Sequence, residues 1–277
     1  MNNTDNIRFD MHTHSKHSHD SQCEISAMAA AGKMRGLTGF AVTDHCDIEY
    51  YETQDLHALA KNSIADAEKV NSETDITVLK GIEIGEATWN KELAAEIMQS
   101  YDFDFVVGSV HAAKFEEYEI PYSLINFSEM GAETAKKYLD CYFDDMYEML
   151  ECFKIDVLAH LTCPLRYING KYELNIDCRM YEDKIKKILE FIIRNGIALE
   201  VNTSCVFEGS KYCEFMPEEW IVRMYKEMGG YLITTGSDAH IAENSANEFD
   251  AAYEMLKRNG FEKAYYFENR IAKEYRI

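Results

Sequence analysis

Short apolar runs rich in valine, isoleucine and phenylalanine alternate along this chain with longer amphipathic stretches. Continuous hydrophobicity over a short run is typical of parallel strands that are buried on both faces. The runs predict seven strands, at residues 7–11, 39–43, 78–84, 103–110, 156–159, 197–201 and 231–235. The stretches between them predict helices at residues 27–35, 56–72, 89–100, 132–153, 181–195, 218–228 and 244–258.

The alternation of strands and helices indicates the fold class. Repeated strand–helix units without a proline-rich or low-complexity linker favour a single α/β domain over residues 1–277, and 47% hydrophobic residues suffice for a large core. Seven or eight such units predict closure into a TIM-like barrel, with an open doubly wound sheet as the alternative. The long polar segment at residues 112–131 is interpreted as a loop or lid, and connections of that length are often functional.

The positions of the histidines carry the chemical information. Six of the nine fall at or just after the carboxyl ends of predicted strands, and they are His12, His14, His45, His111, His160 and His240. Glu83 ends the third strand, and Asp238 follows the seventh in the motif SDAH. Because the carboxyl ends of barrel strands converge on one mouth, these side chains should meet there. A single histidine at a strand end is usually structural, but six together predict a metal centre.

The types of side chain restrict the metals. Imidazole and carboxylate ligands suit zinc, manganese or iron, whereas the eight cysteines form no CxxC pair and do not indicate a thiolate site. There are more ligands than one tetrahedral ion needs, so the sequence predicts two to three divalent ions. His17 and His19 follow the first strand and are ambiguous, whereas His57 lies in a predicted helix and is expected at the surface.

Charge and hydropathy exclude several classes of function. A net charge of −21 disfavours nucleic acid as a partner, because sequence-independent binding needs a basic surface. No apolar run is long enough to cross a bilayer, and the polar amino-terminal stretch lacks the apolar core of a signal peptide. The sequence therefore predicts a cytoplasmic protein with reduced cysteines. A small anionic substrate remains compatible with this charge if metal ions invert the local field.

The set of motifs resembles the polymerase and histidinol phosphatase (PHP) superfamily of metal-dependent phosphoesterases. The matching motifs are D-x-H-x-H at residues 10–14, T-D-H at 43–45, G-x-E at 81–83, the isolated His111 and His160, and S-D-A-H at 237–240. GSVH at residues 108–111 and HLTCPLRY at 160–167 are most similar to the histidinol-phosphatase branch. The resemblance implies a distorted seven-stranded barrel that hydrolyses L-histidinol phosphate to L-histidinol and phosphate, a step of histidine biosynthesis.

The resemblance also implies a trinuclear metal site. The first ion would be held by His12, His14, Glu83 and Asp238. The second would be held by Glu83, His111 and His160. The third would be held by His45, His240 and the residue six positions after His14. That residue is Asp20 where many relatives have histidine, and the neighbouring His19 is an alternative ligand.

The chemistry expected at such a site is hydrolysis of a phosphate ester. A bridging metal site lowers the pKa of bound water from about 15.7 towards roughly 7, so a hydroxide would be available to attack phosphorus. The resemblance implies that Arg166 binds the substrate phosphate, which a guanidinium fork can do bidentately, and a surface salt bridge is the alternative. The expected catalytic residues are Glu83, Asp238 and Arg166.

Several side chains near these motifs have two interpretations. Asp10 and Asp44 either orient ligand imidazoles or cap strand ends. Lys114 either assists phosphate binding or is a solvated loop residue. The remaining candidates lie in the segment 112–131, where they either contact the imidazole and ammonium of the substrate or pack the lid, and they are Glu116, Glu117, Tyr118, Glu119 and Tyr122.

Three other functions remain open at this point. The chain could be another PHP phosphoesterase that acts on nucleotides or on generic phosphomonoesters. It could be a metal-binding regulatory or storage module without turnover. It could also hydrolyse amides or lactones, but such sites commonly need a lysine at a strand end, for which Lys80 is the candidate.

Overall fold

The computed structural model describes residues 7–50, 52–206 and 211–277. The strands of this part of the chain are β1 (Phe9–Thr13), β2 (Gly39–Val42), β3 (His45–Asp47), β4 (Thr77–Gly85), β5 (Phe105–Ser109), β6 (Val157–Leu158), β7 (Ala198–Asn202), β8 (Ile233–Gly236), β9 (Lys263–Glu268) and β10 (Ile271–Arg276). The helices are α1 (Ile25–Met34), α2 (Leu56–Glu73), α3 (Lys91–Ser100), α4 (Phe127–Met130), α5 (Ala132–Cys152), α6 (Glu182–Asn195), α7 (Glu219–Glu227) and α8 (Phe249–Arg258).

Parallel pairing builds a nearly closed barrel. The sheet runs in the order β1-β2-β4-β5-β6-β7-β8, and the short β3 pairs with the end of β4. Beyond the end of β8 the chain returns to β1, where the amide of Asp238 donates to the carbonyl of His12 at 2.8 Å. The strands β2, β5 and β7 are buried along their whole length, which explains their continuous apolar runs. Their carboxyl ends face one mouth of the barrel.

Helices cover the outside of the barrel with their apolar faces. The helix α6 buries one face and ends at Gly196, whose φ of 67° is a left-handed conformation that favours glycine. The buried residues of this face are Ile185, Ile188, Leu189 and Ile192. The helix α2 begins after Asp55, whose side chain accepts a hydrogen bond from the Ala58 amide at 2.9 Å. None of the helices in the described ranges is long and apolar enough to cross a membrane.

A hairpin that the sequence pattern did not indicate packs at the opposite end of the barrel. The strands β9 and β10 pair in antiparallel fashion through a two-residue turn at 269–270, in which both residues have positive φ. Tyr266 of β9 stacks on Phe9 at a ring-centroid distance of 3.9 Å. Arg270 of the turn pairs with Asp156 at 2.5 Å, between Nε and Oδ2. The hairpin therefore covers the amino-terminal ends of the strands and leaves the other mouth open.

The predicted fold class is confirmed, and the alternative of an open sheet is wrong. Each of the seven predicted strands is present, with both ends within two residues of the prediction. Six of the seven predicted helices agree equally well. The helix predicted at residues 244–258 begins only at Phe249, because residues 242–244 form a 3-10 turn and both Ala246 and Glu248 have positive φ.

The segment 112–131 is folded onto the barrel and is not a free loop. It contains the short helix α4, and it buries Phe115, Ile125 and Phe127 in the core. Between these buried positions, residues 121–124 line the open mouth of the barrel. The apolar residues of this polar segment thus anchor it to the core. Its middle part forms one side of the open mouth.

Candidate active site

The strand ends bring all of the predicted metal ligands together at the open mouth. The group comprises His12, His14, Asp20, His45, Glu83, His111, His160, Asp238 and His240. Part of this convergence follows from the parallel register, in which β3 places His45 directly beside Glu83 of β4. Asp20 is the most exposed ligand candidate, at 45% of its side chain, and most of the others are buried.

Glu83 lies between four imidazoles. Its Oε2 is 2.8 Å from His45 Nδ1 and 3.5 Å from His12 Nε2. Its Oε1 is 2.9 Å from His160 Nε2 and 3.4 Å from His111 Nε2. Burial alone would raise the pKa of Glu83, but the neighbouring His111, His12 and His45 hold it well below its usual range. Glu83 is therefore an ionised carboxylate whose two oxygens face different imidazole pairs.

A second set of ligand candidates surrounds His14. Its Nε2 lies 3.1 Å from Asp238 Oδ1, and its ring stacks on those of His45 and His240 at centroid distances of 4.2 Å. Asp20 Oδ2 lies 3.1 Å from His240 Nε2. Burial and the adjacent imidazoles of His45 and His240 lower the pKa of His14 well below its usual range. A neutral imidazole is the form that binds a metal ion.

The donor set fits divalent metal ions. Four groups of three residues have ligand atoms within 4.8 Å of one another, and they are His12 with His14 and Asp238, His12 with Glu83 and His160, His14 with His45 and His240, and His45 with Asp47 and His111. The buried Nε2 of His12 has no hydrogen-bond partner among the described residues. A buried polar atom without a partner is costly, and a bound cation would remove that cost. The assignment of individual residues to two or three ions stays a prediction.

Asp20, and not His19, faces the third predicted ion position. Asp20 has one carboxylate oxygen 3.1 Å from His240 Nε2 and the other 3.7 Å from His45 Nε2, whereas the ring of His19 lies 5.2 Å from that of His45 and its Nδ1 is 3.9 Å from Asp47 Oδ2. Both Asp20 and His19 line the cavity described below. The geometry therefore favours the aspartate over the neighbouring histidine as a ligand.

Two buried carboxylates in contact with this centre were missing from the predicted set. Glu200 Oε1 lies 2.6 Å from His12 Nδ1, and Glu200 Oε2 accepts from the amide of His160 at 2.7 Å. Asp47 Oδ1 lies 3.1 Å from His111 Nδ1. A signal for Glu200 exists in the sequence, since it is an acid inside the apolar strand β7, where a buried charge needs a partner. For Asp47, the signal is its place two residues after the strand-end histidine His45.

Asp10 and Asp44 hold the loops at the strand ends and do not contact ligand imidazoles through their carboxylates. The carboxylate of Asp10 accepts from the amide and hydroxyl of Ser237 at 2.9 and 2.6 Å, and burial raises its pKa to about 6. Asp44 accepts from the hydroxyl of Ser18 at 2.9 Å. The Ser18 hydroxyl in turn lies 3.1 Å from His14 Nδ1. The structure therefore shows strand-end capping for Asp10, whereas Asp44 reaches the imidazole of His14 through the Ser18 hydroxyl.

A cavity of about 370 Å³ opens beside the ligand cluster. Its far wall consists of Tyr50, Pro121, Tyr122, Leu124 and Tyr167. Arg166 lines the same cavity, where it donates to the Ser204 hydroxyl at 3.4 Å and lies 5.3 Å from the centre of the Tyr167 ring. No carboxylate of the described residues lies within 4 Å of its guanidinium, so the alternative of a surface salt bridge is not observed.

Several other candidates lie away from this cavity. His17 pairs with Asp66 at 2.9 Å on the outer surface. The Nζ of Lys80 is 3.0 Å from Glu68 of α2, so this lysine faces the helical layer and not the mouth, which contradicts the amide-hydrolase alternative. Lys114 is exposed and lies 3.7 Å from Glu148. Within the segment 112–131, Tyr122 lines the cavity, whereas the remaining candidates do not, and these are Glu116, Glu117, Tyr118 and Glu119.

Comparisons with known proteins agree with this geometry. The family model described as PHP domain matches residues 10–204. The chain is 30% identical to the probable histidinol-phosphatase of Clostridium acetobutylicum, over 96% of this chain and 98% of that protein. It is 29% identical to the probable histidinol-phosphatase of Thermotoga maritima, over 91% and 93% of the two chains.

A solved structure also has the same fold. The histidinol phosphate phosphatase of Lactococcus lactis, complexed with zinc, L-histidinol and phosphate, matches with a TM-score of 0.77 over 96% of this chain and 99% of that one. Its sequence identity is 21%, so this similarity concerns the fold. Together, the family model and the named relatives confirm the expected phosphatase class and the histidinol-phosphatase branch. The chain belongs to the PHP domain family.

Proposed function

We propose that this protein hydrolyses L-histidinol phosphate to L-histidinol and phosphate, with two or three divalent metal ions bound at the mouth of the barrel. The observation that carries the proposal is that one cavity is lined by part of the imidazole and carboxylate cluster, by Arg166 and by three tyrosines. The names of the relatives from Clostridium acetobutylicum and Thermotoga maritima support the choice of substrate. By this activity, the protein would serve histidine biosynthesis.

The size of the cavity supports a small monoester as the substrate. A volume of about 370 Å³ lies at the lower end of the range of ligand pockets, roughly 300–1,000 Å³. A single phosphorylated amino alcohol fits such a space, and an oligonucleotide does not. The net charge of −21 also disfavours a polyanionic strand on the surrounding surface.

Protein side chains would hold the phosphate group in place for hydrolysis. Arg166 faces the cavity with no competing carboxylate among the described residues, so its N–H groups are available to phosphate oxygens. Metal ions bound by the imidazole and carboxylate cluster would supply an activated water and neutralise the phosphoryl oxygens. Glu83 and Asp238 would hold these ions through their ionised carboxylates.

The organic part of the substrate would lie against the tyrosines. Tyr122 and Tyr167 line the cavity with a ring-centroid distance of 5.5 Å. Aromatic faces attract a cation or another ring, and histidinol phosphate carries both an ammonium group and an imidazole.

The experiment that tests this function is phosphate release by the purified protein, reconstituted separately with zinc, manganese and iron. L-Histidinol phosphate is compared with a nucleoside monophosphate and an aryl phosphate. His12→Ala and Arg166→Ala should lose activity towards histidinol phosphate. Arg179→Ala is the matched control, because Arg179 lies 4.6 Å from the Trp220 ring and not in the cavity.

Each outcome has a distinct meaning. The highest kcat/KM for histidinol phosphate, with losses confined to the two site variants, would support the proposal. Equal or faster hydrolysis of the other esters would keep the phosphatase and refute the substrate, as the alternative of a broad phosphomonoesterase requires. Absence of phosphate release with every metal and every ester would refute the function.

A further inference from the structure

Two imidazoles of the site are each held at Nδ1 by a buried carboxylate. These carboxylates are Glu200, which is 2.6 Å from His12 Nδ1, and Asp47, which is 3.1 Å from His111 Nδ1. In both imidazoles the opposite atom, Nε2, faces Glu83, at 3.5 Å for His12 and 3.4 Å for His111. The carboxylates lie within hydrogen-bond distance of Nδ1 and farther from Nε2, so each accepts a hydrogen bond from an Nδ1 that carries the proton. The lone pair of each Nε2 is then free to bind a metal ion.

In both pairs the carboxylate reaches its histidine across an intervening strand. Glu200 belongs to β7 and His12 to β1, and these strands flank β8. Asp47 belongs to β3, and His111 follows β5, so that β4 lies between them. Neighbouring strands are about 4.8 Å apart, so the partners stand roughly 10 Å apart across the sheet. Their side chains must therefore meet above the backbone of the middle strand.

The middle strand has a glycine at the crossing point in both cases. A Cβ at Gly236 of β8 would lie 2.3 Å from Glu200 Oε1 and 2.5 Å from His12 Cβ. A Cβ at Gly85 of β4 would lie 2.3 Å from Asp47 Oδ1 and 3.0 Å from His111 Nδ1. Neither glycine has positive φ, so what each one provides is space for the hydrogen bond. Any larger residue would push the carboxylate away from the imidazole.

We propose that Gly236 with Glu200 and Gly85 with Asp47 form two matched positioning units, which fix His12 and His111 as Nε2 ligands and thereby set the metal affinity of the site. Glu200 and Asp47 act through the imidazoles and are positioning residues. Carboxylate partners of metal-bound histidines typically change metal affinity or activity by roughly 10- to 100-fold. This inference rests on the proposed metal site and is independent of the identity of the substrate.

The test measures metal binding and the tautomers of the histidines, without turnover. The variants are Gly236→Ala, Gly85→Ala, Glu200→Gln and Asp47→Asn. Gly108→Ala is the matched control, because Gly108 is a buried strand glycine whose added Cβ would meet the side chains of Ile155 and Met149. Zinc affinity is measured by competition with a chromophoric chelator, and zinc content by mass spectrometry. Long-range nitrogen–proton NMR of histidine-labelled protein reports which ring nitrogen carries the proton.

In the wild type, His12 and His111 should show protonated Nδ1 atoms. Both glycine variants should lose roughly 10- to 100-fold in zinc affinity, with altered signals for the histidine concerned, while Gly108→Ala binds zinc like the wild type. Glu200→Gln and Asp47→Asn should do the same, because a flipped amide donates to Nδ1 and favours the wrong tautomer. If the alanine variants do not fold, as judged by circular dichroism, these two amide variants decide the matter.

Other outcomes would overturn the inference. Both units would be refuted if the four variants had the same zinc affinity and the same histidine tautomers as Gly108→Ala. Asp47 would instead be a direct metal ligand if Asp47→Asn lost one whole ion while Gly85→Ala kept full zinc affinity. An ion could be bound between Asp47 Oδ1 and His45 Nδ1, which are 3.7 Å apart. If the wild-type protein binds no divalent ion, the metal site and the proposed function are refuted together. That result differs from failure of the inference alone, in which the wild type binds metal and the variants bind it equally well.

Discussion

Replacing Arg166 by alanine should remove much of the binding energy for the substrate phosphate. The guanidinium is half-buried beside the cavity, and its nearest described partners are neutral, the Ser204 hydroxyl at 3.4 Å and the Tyr167 ring at 5.3 Å. No carboxylate of the described residues competes for its N–H groups within 4 Å. A hydrogen bond to a charged group contributes about 1.5–3 kcal/mol. The loss of one such bond therefore sets the scale of the effect.

That free energy corresponds to a fall in kcat/KM of roughly 10- to 150-fold, since about 1.4 kcal/mol is a factor of ten. The phosphate contacts Arg166 before the reaction as well as during it, so most of the loss should appear in KM. The inhibition constant of inorganic phosphate should rise by a similar factor. Arg166→Lys keeps the charge but not the planar fork, so it should lie between the wild type and the alanine variant.

The assay is initial-rate phosphate release from histidinol phosphate, with inorganic phosphate as an inhibitor, for the wild type, both Arg166 variants and the Arg179→Ala control. A change of less than about threefold in both KM and the inhibition constant would contradict the predicted hydrogen bond, whose lower limit is tenfold. An equal loss in Arg179→Ala would show a general effect of removing an arginine. A lower kcat with unchanged phosphate inhibition would place the contact in the transition state only.

Three further predictions concern the metals and the stability of the fold. Removal of bound metal by a chelator should abolish phosphate release and lower Tm by several degrees in calorimetry. The fall in Tm is expected because a ligand at 1,000 times its Kd stabilises the folded state by about 4 kcal/mol. Addition of zinc should restore both the activity and Tm. Asp20→Ala should lower the metal content by one ion per chain, because Asp20 Oδ2 lies 3.1 Å from His240 Nε2, and His19→Ala should leave the content unchanged. Equal metal content in the two variants would contradict this assignment. Arg270→Ala should lower the free energy of unfolding at pH 7 by about 2 kcal/mol, less than the roughly 3–5 kcal/mol of a fully buried pair because Arg270 is partly exposed. Burial already raises the pKa of Asp156, and loss of Arg270 should raise it further. The destabilisation should therefore shrink as the pH falls towards about 4, because the Asp156 carboxyl then gains a proton in both the folded and the unfolded state. Equal losses of unfolding free energy at pH 7 and at about pH 4, measured by urea titration, would contradict this pairing.

Strand positions and the main metal ligands could be predicted because each depends on a local pattern. Buried parallel strands are apolar on both faces, and barrel topology makes neighbours of their carboxyl ends. His12 and His160 are thus found at strand ends by sequence alone, although their meeting at Glu83 needs the closed barrel. The hairpin of β9 and β10 was missed because its turn, Asn269–Arg270, has two left-handed residues without the glycine that usually marks such a turn.

The positioning carboxylates could not be predicted with their partners, because those contacts arise from register between distant segments. Glu200 stands out as an acid in the buried strand β7, but its contact with His12 depends on the closure of β8 onto β1. Asp47 lies on β3, which is only three residues long and begins at the histidine of the motif TDH. Its contact with His111 depends on the pairing of β3 with the far end of β4.

The strong negative charge of the chain and an anionic substrate become compatible only when metal ions are bound. Five carboxylates lie in the ligand cluster or in contact with its imidazoles, those of Asp20, Asp47, Glu83, Glu200 and Asp238, and Arg166 is the one arginine or lysine among the described residues that line the cavity. Two divalent ions bring four positive charges, which together with Arg166 balance these five carboxylates, and a third ion makes the net charge positive. The more distant acids of the surface are screened beyond about 8 Å at physiological ionic strength. The charges therefore favour binding of the metal ions before the anionic substrate.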